Sequence, residues 1–340
     1  MTAQKLVWHD IAEWGFEGKG WKDTERLYDR LPVKAKGVVP QPVWDLSHSA
    51  IGMCATFKTN ASRIVARWKL AEAQLKESNF TAAGFSGLDL YADDNGTWRW
   101  VGAGHQVTTQ TPEQTLIEGM AETKRAFRVY LPLRNPVDKV EIGIEEGASF
   151  QPVAPRKDKP LVFYGTSIVH GAYGSHAGII HPSLLGRWLN KPVINLGFSG
   201  NARMEPALAE LLAEINAEIY VIDALPNMDA GLVNERAETF IRLLRKRRPK
   251  TPIVLVEDRP NTNAWIKPAQ MAGHEANWRA LARVYRLLCK EGMTGLSYVK
   301  GKDLFGTDNE GSLDSSHPSD LGFMRMAQKL HPVLKKILGA

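Results

Sequence analysis

Two cysteines in 340 residues, Cys54 and Cys289, are too few and too widely separated for a disulfide framework or a zinc site. Both are expected to be ordinary buried thiols. No apolar run approaches the ~20 residues of a membrane span; the longest, such as Ile219-Tyr220-Val221-Ile222, are strand-sized. Neither sign of charge dominates, since 43 Lys+Arg against 37 Asp+Glu leaves only +6. The one dense basic run, Arg242 to Lys250, follows helix-compatible residues and leads through Pro249 into a new strand. It reads as a solvated helix C-terminus, favoured there by the dipole, and no nucleic-acid-binding motif accompanies it. Repeats and low-complexity tracts are missing, and 44% hydrophobic with 24% charged residues excludes a disordered chain, a fibre or a coiled-coil rod. Met1 to Asp10 has neither the charged start nor the apolar core of a signal peptide, so the chain as given is expected to be cytoplasmic.

What is present falls into two halves, with the boundary expected near residue 155: residues 1–155 and 156–340. Seven of the ten tryptophans precede it. There, short β-rich segments alternate with turn signals. Residues 61–70 alternate polar and apolar as a half-buried strand does. Asn95-Gly96 between Leu88–Ala92 and Thr97–Val101 is a hairpin signal. Many short strands with little helix predict a β-sandwich. Gln151 to Pro160 is Pro- and charge-rich and suits a linker. Beyond it, apolar strands Leu161–Tyr164, Pro192–Leu196, Ala217–Asp223 and Pro252–Glu257 alternate with helical stretches at 182–189, 206–214, 234–247 and 272–291. That grammar predicts a three-layer α/β/α domain with a parallel sheet covered on both faces.

Ligands gather at the carboxyl ends of parallel strands, which directs attention to the loops after these four. Ser167, in Gly165-Thr166-Ser167-Ile168-Val169-His170-Gly171, is placed either as a nucleophile or as a plain turn serine. The segment is neither a G-x-S-x-G elbow nor a P-loop nor a dinucleotide fingerprint. Near the C-terminus, Asp314-Ser315-Ser316-His317-Pro318 sets an acid three residues before a histidine. Alone it is either a capping Asp beside a surface His or an acid that orients a base. Together, the serine and the Asp-x-x-His pair are more specific than either part.

At these residues the second half resembles the SGNH hydrolases, the superfamily of the GDSL esterases. Gly165-Thr166-Ser167 matches the first block, and Asn195-Leu196-Gly197-Phe198-Ser199-Gly200 the Asn-x-x-x-Ser-Gly of the second. Asn227 in Asp223-Ala224-Leu225-Pro226-Asn227 matches the third, and Asp314 to Pro318 the last. Four blocks in order cover about half the chain. Thr166 stands where Asp is usual, and Leu-Pro-Asn replaces Gly-x-Asn. In the first half, Asp89-Leu90-Tyr91, Trp98-Arg99-Trp100-Val101-Gly102 and Pro42 to Ser47 resemble the jelly-roll-type domain beside some bacterial SGNH hydrolases associated with carbohydrate esters.

The resemblance implies Ser167 as nucleophile, His317 as general base and then acid, and Asp314 as its orienting partner. It implies an oxyanion hole of the Ser167 and Gly200 N–H groups and the Asn227 amide. Gly197 competes with Gly200, and spacing favours Gly200. His170, His176 and His181 are expected to line the pocket or its rim, and Arg203, Arg259 and Trp265 either to contact substrate or to serve the structure. The tryptophans fill the sandwich core or stack on sugars; Trp98 and Trp100 share one strand face. No metal or organic cofactor is implied. The expected activity is hydrolysis of short acyl esters on a small-molecule or oligosaccharide substrate, without nucleic-acid or membrane partners. The alternatives are an aryl or lipid esterase and an inactive carbohydrate-binding protein.

Overall fold

The computed structural model describes residues 5–339. The first four residues of the stretch read for a leader, and Ala340, lie outside the described residues. Among the described residues nine strands form the first half: β1 (Leu6–Asp10), β2 (Cys54–Thr59), β3 (Ile64–Leu70), β4 (Asp89–Asp94), β5 (Thr97–Ala103), β6 (Glu113–Ile117), β7 (Arg125–Tyr130), β8 (Val137–Glu145) and β9 (Phe150–Val153). They pair antiparallel as two sheets, β1-β8-β3-β6 and β5-β4-β7-β2-β9. Phe57, Ile64, Trp68, Leu90, Phe127 and Ile142 fill the space between them. Burial of such aliphatic and aromatic side chains contributes ~1.5–3 kcal/mol each and holds the sandwich shut. Asn95 and Gly96 turn the β4–β5 hairpin with φ of 53° and 89°, as Asn-Gly permits. Three short helices, α1 (Ile11–Trp14), α2 (Gln41–Leu46) and α3 (Ala82–Ser86), lie in the connections.

The second half carries β10 (Leu161–Gly165), β11 (Val193–Gly197), β12 (Ile219–Asp223), β13 (Ile253–Val256) and β14 (Leu296–Val299). They form one parallel sheet in the order β11-β10-β12-β13-β14. The helices are α4 (Ser167–His170), α5 (His181–Trp188), α6 (Pro206–Leu212), α7 (Ala230–Arg247), α8 (Pro268–Lys290) and α9 (Asp320–Leu338). The strand period of two sorts their contacts. Val162, Tyr164, Tyr220, Ile222 and Leu255 pack with α6, α7 and α8. Leu161, Phe163, Val221, Val254 and Val256 pack with α4, α5 and α9 on the opposite face.

The first half does not merely adjoin the second. Leu31, Val39, Val43 and Trp44 join the core under α6–α8, while Phe85, Tyr91, Tyr130 and Leu133 join the core on the other face. The 151–160 stretch is correspondingly no loose tether. Its first residues complete β9 against β2, and the Arg156 guanidinium donates to both oxygens of Glu17 at 2.7 and 2.6 Å. Cys54 is buried as expected, but Cys289 is exposed because it falls on the solvent side of α8. In the basic run, Arg245 donates to the Arg248, Pro249 and Thr251 carbonyls, closing the helix end as the sequence suggests. Among the described residues no helix is long and apolar enough to cross a membrane.

Candidate active site

Ser167 opens α4 directly after β10. Thr166 caps the turn, its Oγ1 accepting from Ile168 N at 3.3 Å. The turn is tight enough to require a glycine at 165, where a Cβ would lie 2.4 Å from Val169 and 2.6 Å from the Asp223 carbonyl. The Ser167 hydroxyl donates to His317 Nε2 at 2.8 Å. His317 Nδ1–H in turn donates to Asp314 Oδ2 at 2.7 Å. The second Asp314 oxygen accepts from the backbone N–H of His317 at 2.7 Å and of Ser316 at 2.9 Å. Burial opposes ionisation of Asp314, but these hydrogen bonds and the neighbouring imidazole outweigh it and hold the carboxyl below its usual value. One carboxylate therefore shapes the loop and fixes the imidazole tautomer, leaving Nε2 free to accept the serine proton. Among the described residues no group of three His, Cys, Asp or Glu side chains is placed to hold a metal.

The loop after β11 lies alongside. Gly200 is exposed in the left-handed region with φ 73°, and nothing stands within 4 Å of where its Cβ would be. That open surface suits close approach of another molecule to the backbone. Gly197 is different, since its N–H already donates to Asn195 Oδ1 at 2.9 Å. Asn227 ends a short turn after β12, and its Oδ1 accepts from Ala202 N at 3.3 Å, a bond that does not use the donor capacity of the amide nitrogen.

Two of the histidines expected at the pocket or its rim, His170 and His181, are instead buried in the core. His170 is fully buried, and its Nε2–H donates to the Leu133 carbonyl at 3.1 Å. Burial holds its pKa well below the usual imidazole value. It therefore reaches no substrate, because the inner side of α4 faces the loop after β7. His181 is also buried, flanked by Phe163 and Phe323. His176 is spent on Asp89. Arg259 is 3% exposed and turned inward, donating to the carbonyl and hydroxyl of Ser316 beside His317. Under it, burial pushes the Asp223 carboxyl up to about 7 against the pull of Arg259. Arg203 is exposed, and Trp265 is 74% exposed on the loop whose Thr262 N–H donates to the Ser315 carbonyl. Trp98 is half-buried under the Arg128 guanidinium, whereas Trp100 is exposed and donates to Asp89 at 2.6 Å.

Arg30 and Tyr173 carry no sequence signal, and the motifs that contain Asn195 and Asp89 do not announce the contacts these two make. Arg30, 1% exposed, donates to the carbonyls of Asn195 (3.1 Å), Gly197 (2.9 Å) and Ser49 (2.9 Å) from the far end of the chain. Asn195 Nδ2 donates to the Val169 carbonyl at 2.7 Å, tying the Gly200 loop to α4. Asp89 Oδ2 accepts from Gly178 N at 2.7 Å and His176 Nδ1 at 2.5 Å, and so anchors the loop after α4 to the sandwich. That loop carries Tyr173, at φ 68°, whose ring lies 5.6 Å from the His317 ring. Long-range pairings of this kind leave no local spacing to read.

A family model described as the GDSL-like lipase/acylhydrolase family matches residues 158–335. A second, GxDLY, described as the N-terminus of the Esterase_SGNH_hydro-type, matches residues 6–150. The chain is similar to a solved structure described as a GDSL-like lipase from Bacteroides ovatus ATCC 8483, with 30% identity, 98% of each chain covered and a TM-score of 0.93. It shares its fold with a salicylyl-acyltransferase from a tetracycline biosynthetic pathway (18% identity, 98% of each chain, TM-score 0.77). It shares it also with an acetyl xylan esterase from the rumen bacterium Butyrivibrio proteoclasticus (14% identity, 98% of this chain and 99% of that one, TM-score 0.60). No curated protein matches the chain.

Proposed function

Because this chain belongs to the GDSL-like lipase/acylhydrolase family, in which esters are hydrolysed, we propose that it is a serine esterase removing short acyl groups, specifically acetyl, from a carbohydrate. The observation that carries the proposal is the unbroken hydrogen-bond chain from Ser167 Oγ through both ring nitrogens of His317 to Asp314. Ser167 Oγ attacks the ester carbonyl as His317 Nε2 takes its proton. Asp314 holds the imidazole and stabilises the cation it becomes. The C–O bond to the sugar breaks, and His317 returns the proton to the leaving oxygen. A water deprotonated by His317 then attacks the acyl-enzyme, releasing acetate and restoring Ser167.

Negative charge on the tetrahedral intermediate is met by Ser167 N–H, Gly200 N–H and the Asn227 amide. A helix N-terminus leaves its first N–H groups without intrahelical acceptors, so Ser167 N–H at the start of α4 has a donor to offer. The occupied N–H of Gly197 favours Gly200 as the second donor. The carbohydrate reading draws support from the acetyl xylan esterase that shares the fold over nearly its whole length. A second reading, aryl or lipid esters, is favoured by exposed apolar residues around the histidine loop, namely Trp265, Ile266 and Leu313.

The test is p-nitrophenyl acetate hydrolysis by wild type and Ser167→Ala, followed by acetate release from acetylated xylo-oligosaccharides. Turnover of both substrates, lost in the alanine variant, is expected. Turnover of aryl and lipid esters alone selects the second reading. A protein inert on every ester but retained on a xylan column would be a carbohydrate-binding protein.

A further inference from the structure

A cleft of about 330 Å³ opens where three separate parts of the chain meet. One wall is α2 with Asp45, and the second is the sandwich with Glu72 and Arg134. The third is the Gly200 loop, through Ser199 and Asn201. Leu46 and Pro136 supply apolar lining. Ser199 and Asn201 flank Gly200 in sequence, so the cleft adjoins the loop proposed above to hold the oxyanion. We propose that this cleft binds the alcohol side of the ester, and that the alcohol is a neutral, hydroxyl-rich ring.

The chemistry of the walls selects that ligand class. An acetyl group is only two carbons and has no use for such a volume, which lies at the small end of the roughly 300–1,000 Å³ typical of ligand pockets. One sugar ring suits it better than a length of polymer. Among the described residues Glu72 has no side-chain hydrogen bond. Asp45 spends one oxygen on Gln41 at 2.7 Å, and Arg134 has only Glu77 at 3.9 Å. Two carboxylates and a guanidinium with unspent capacity match the donors and acceptors of ring hydroxyls. Leu46 and Pro136 offer a surface for ring C–H groups. Two negative charges against one positive disfavour a carboxylated or phosphorylated alcohol.

The walls are also held in advance of binding. Buried Asn135 accepts from Glu72 N at 3.2 Å and donates to its carbonyl at 3.1 Å, and Arg134 N–H donates to the Phe85 carbonyl at 3.2 Å. Such preorganisation lowers the entropy lost on association.

This assignment rests on the carbohydrate reading above, and the experiment separates the two. Glu72→Gln, Asp45→Asn and Arg134→Met would be compared with wild type on glucose 6-acetate and p-nitrophenyl acetate, which carry the same acyl group on different alcohols. The expected result is a fall of roughly tenfold or more in the ratio of kcat/KM for the sugar ester to that for the aryl ester, borne mainly by KM. A ratio unmoved in all three variants, or equal losses on both substrates, would overturn the cleft assignment alone. Wild type that cleaves p-nitrophenyl acetate but no acetylated sugar would overturn the carbohydrate reading, and the cleft assignment with it.

Discussion

The guanidinium of Arg30 lies across the end of β11, its Nη1 donating to the carbonyls of Asn195 at 3.1 Å and Gly197 at 2.9 Å. A residue from the first half thus fixes the strand that launches the Gly200 loop. Its Nη2 reaches Leu46 and Ser49, and Phe198 packs against its face at 4.9 Å. Burial lowers its pKa to about 9, still high enough to keep it charged at neutral pH.

Arg30→Met therefore leaves several buried carbonyls unpaired, each costing ~1–3 kcal/mol. A clear fall in Tm is expected. At temperatures where the variant stays folded, kcat for p-nitrophenyl acetate should drop about tenfold or more with a smaller change in KM. Equal kcat in folded variant and wild type would show that Arg30 serves stability only.

Asp314→Asn keeps the size of the side chain but removes the charge that stabilises imidazolium and lets the amide favour the wrong tautomer. A loss of about 10⁴ in kcat is expected from the role assigned to it. Asn227→Ala removes the amide proposed to bind the oxyanion and should cost about 10²–10³ in kcat with KM little changed. Steady-state kinetics on one aryl ester measures both, and a loss under fivefold for either variant would remove that residue from the mechanism.

His181 is buried, both ring nitrogens lack hydrogen-bond partners among the described residues, and burial lowers its pKa from 6.5 to about 3. The unfolded chain therefore takes up this proton first. The stability carried by neutral His181 is complete above pH 6.5 and is lost as pH falls toward 3, by about 3 kcal/mol at pH 4. Asp223 has the opposite sign. Its folded value of about 7 makes its contribution greatest below 3.8 and lost as pH rises through the window to 7. In urea titrations, His181→Leu should gain on wild type steadily from pH 7 to pH 4. A stability difference constant over that range would count against a buried neutral histidine.

Asp89 takes hydrogen bonds from Trp100, His176 and the Gly178 backbone, all at a fully buried carboxylate. Asp89→Ala strands these donors between the two halves. A destabilisation of roughly 2–4 kcal/mol is expected by thermal or urea unfolding. The loop bearing Tyr173 should become the segment with the largest rise in amide exchange; unchanged protection there would mean that Ser175 with Asp320 suffices to hold it.

Strands β10 to β13 and helices α5 to α8 were legible because their signals are local, namely continuous apolar runs broken by amphipathic stretches. The shorter β14, Leu296–Val299, reads Leu-Ser-Tyr-Val and carries too mixed a pattern to announce a buried strand. The four motif blocks that contain Ser167, Asn195, Gly200, Asn227, Asp314 and His317 were legible for the same reason, each being a short local segment, three of them directly after a strand and the fourth just before α9. His170 was misplaced and Arg259 left open between substrate and structure because residue type and loop position say nothing about which way a side chain turns. Both face inward, to Leu133 and Ser316.

The division into a β-sandwich half and a parallel α/β half, and the residue types offered at the ends of β10 to β12, were determined by the sequence alone. They depend on periodicity and spacing within about ten residues. Only the tertiary structure decided that the halves share two cores, that Arg30 and Asp89 hold the loops of the other half, and that a cleft opens between Asp45, Glu72, Arg134 and Asn201. Those relationships join distant parts of the chain, 167 positions apart for Arg30 and Gly197 and 89 for Asp89 and Gly178. Their energies come from burial and hydrogen-bond satisfaction, which exist only once the chain has closed on itself.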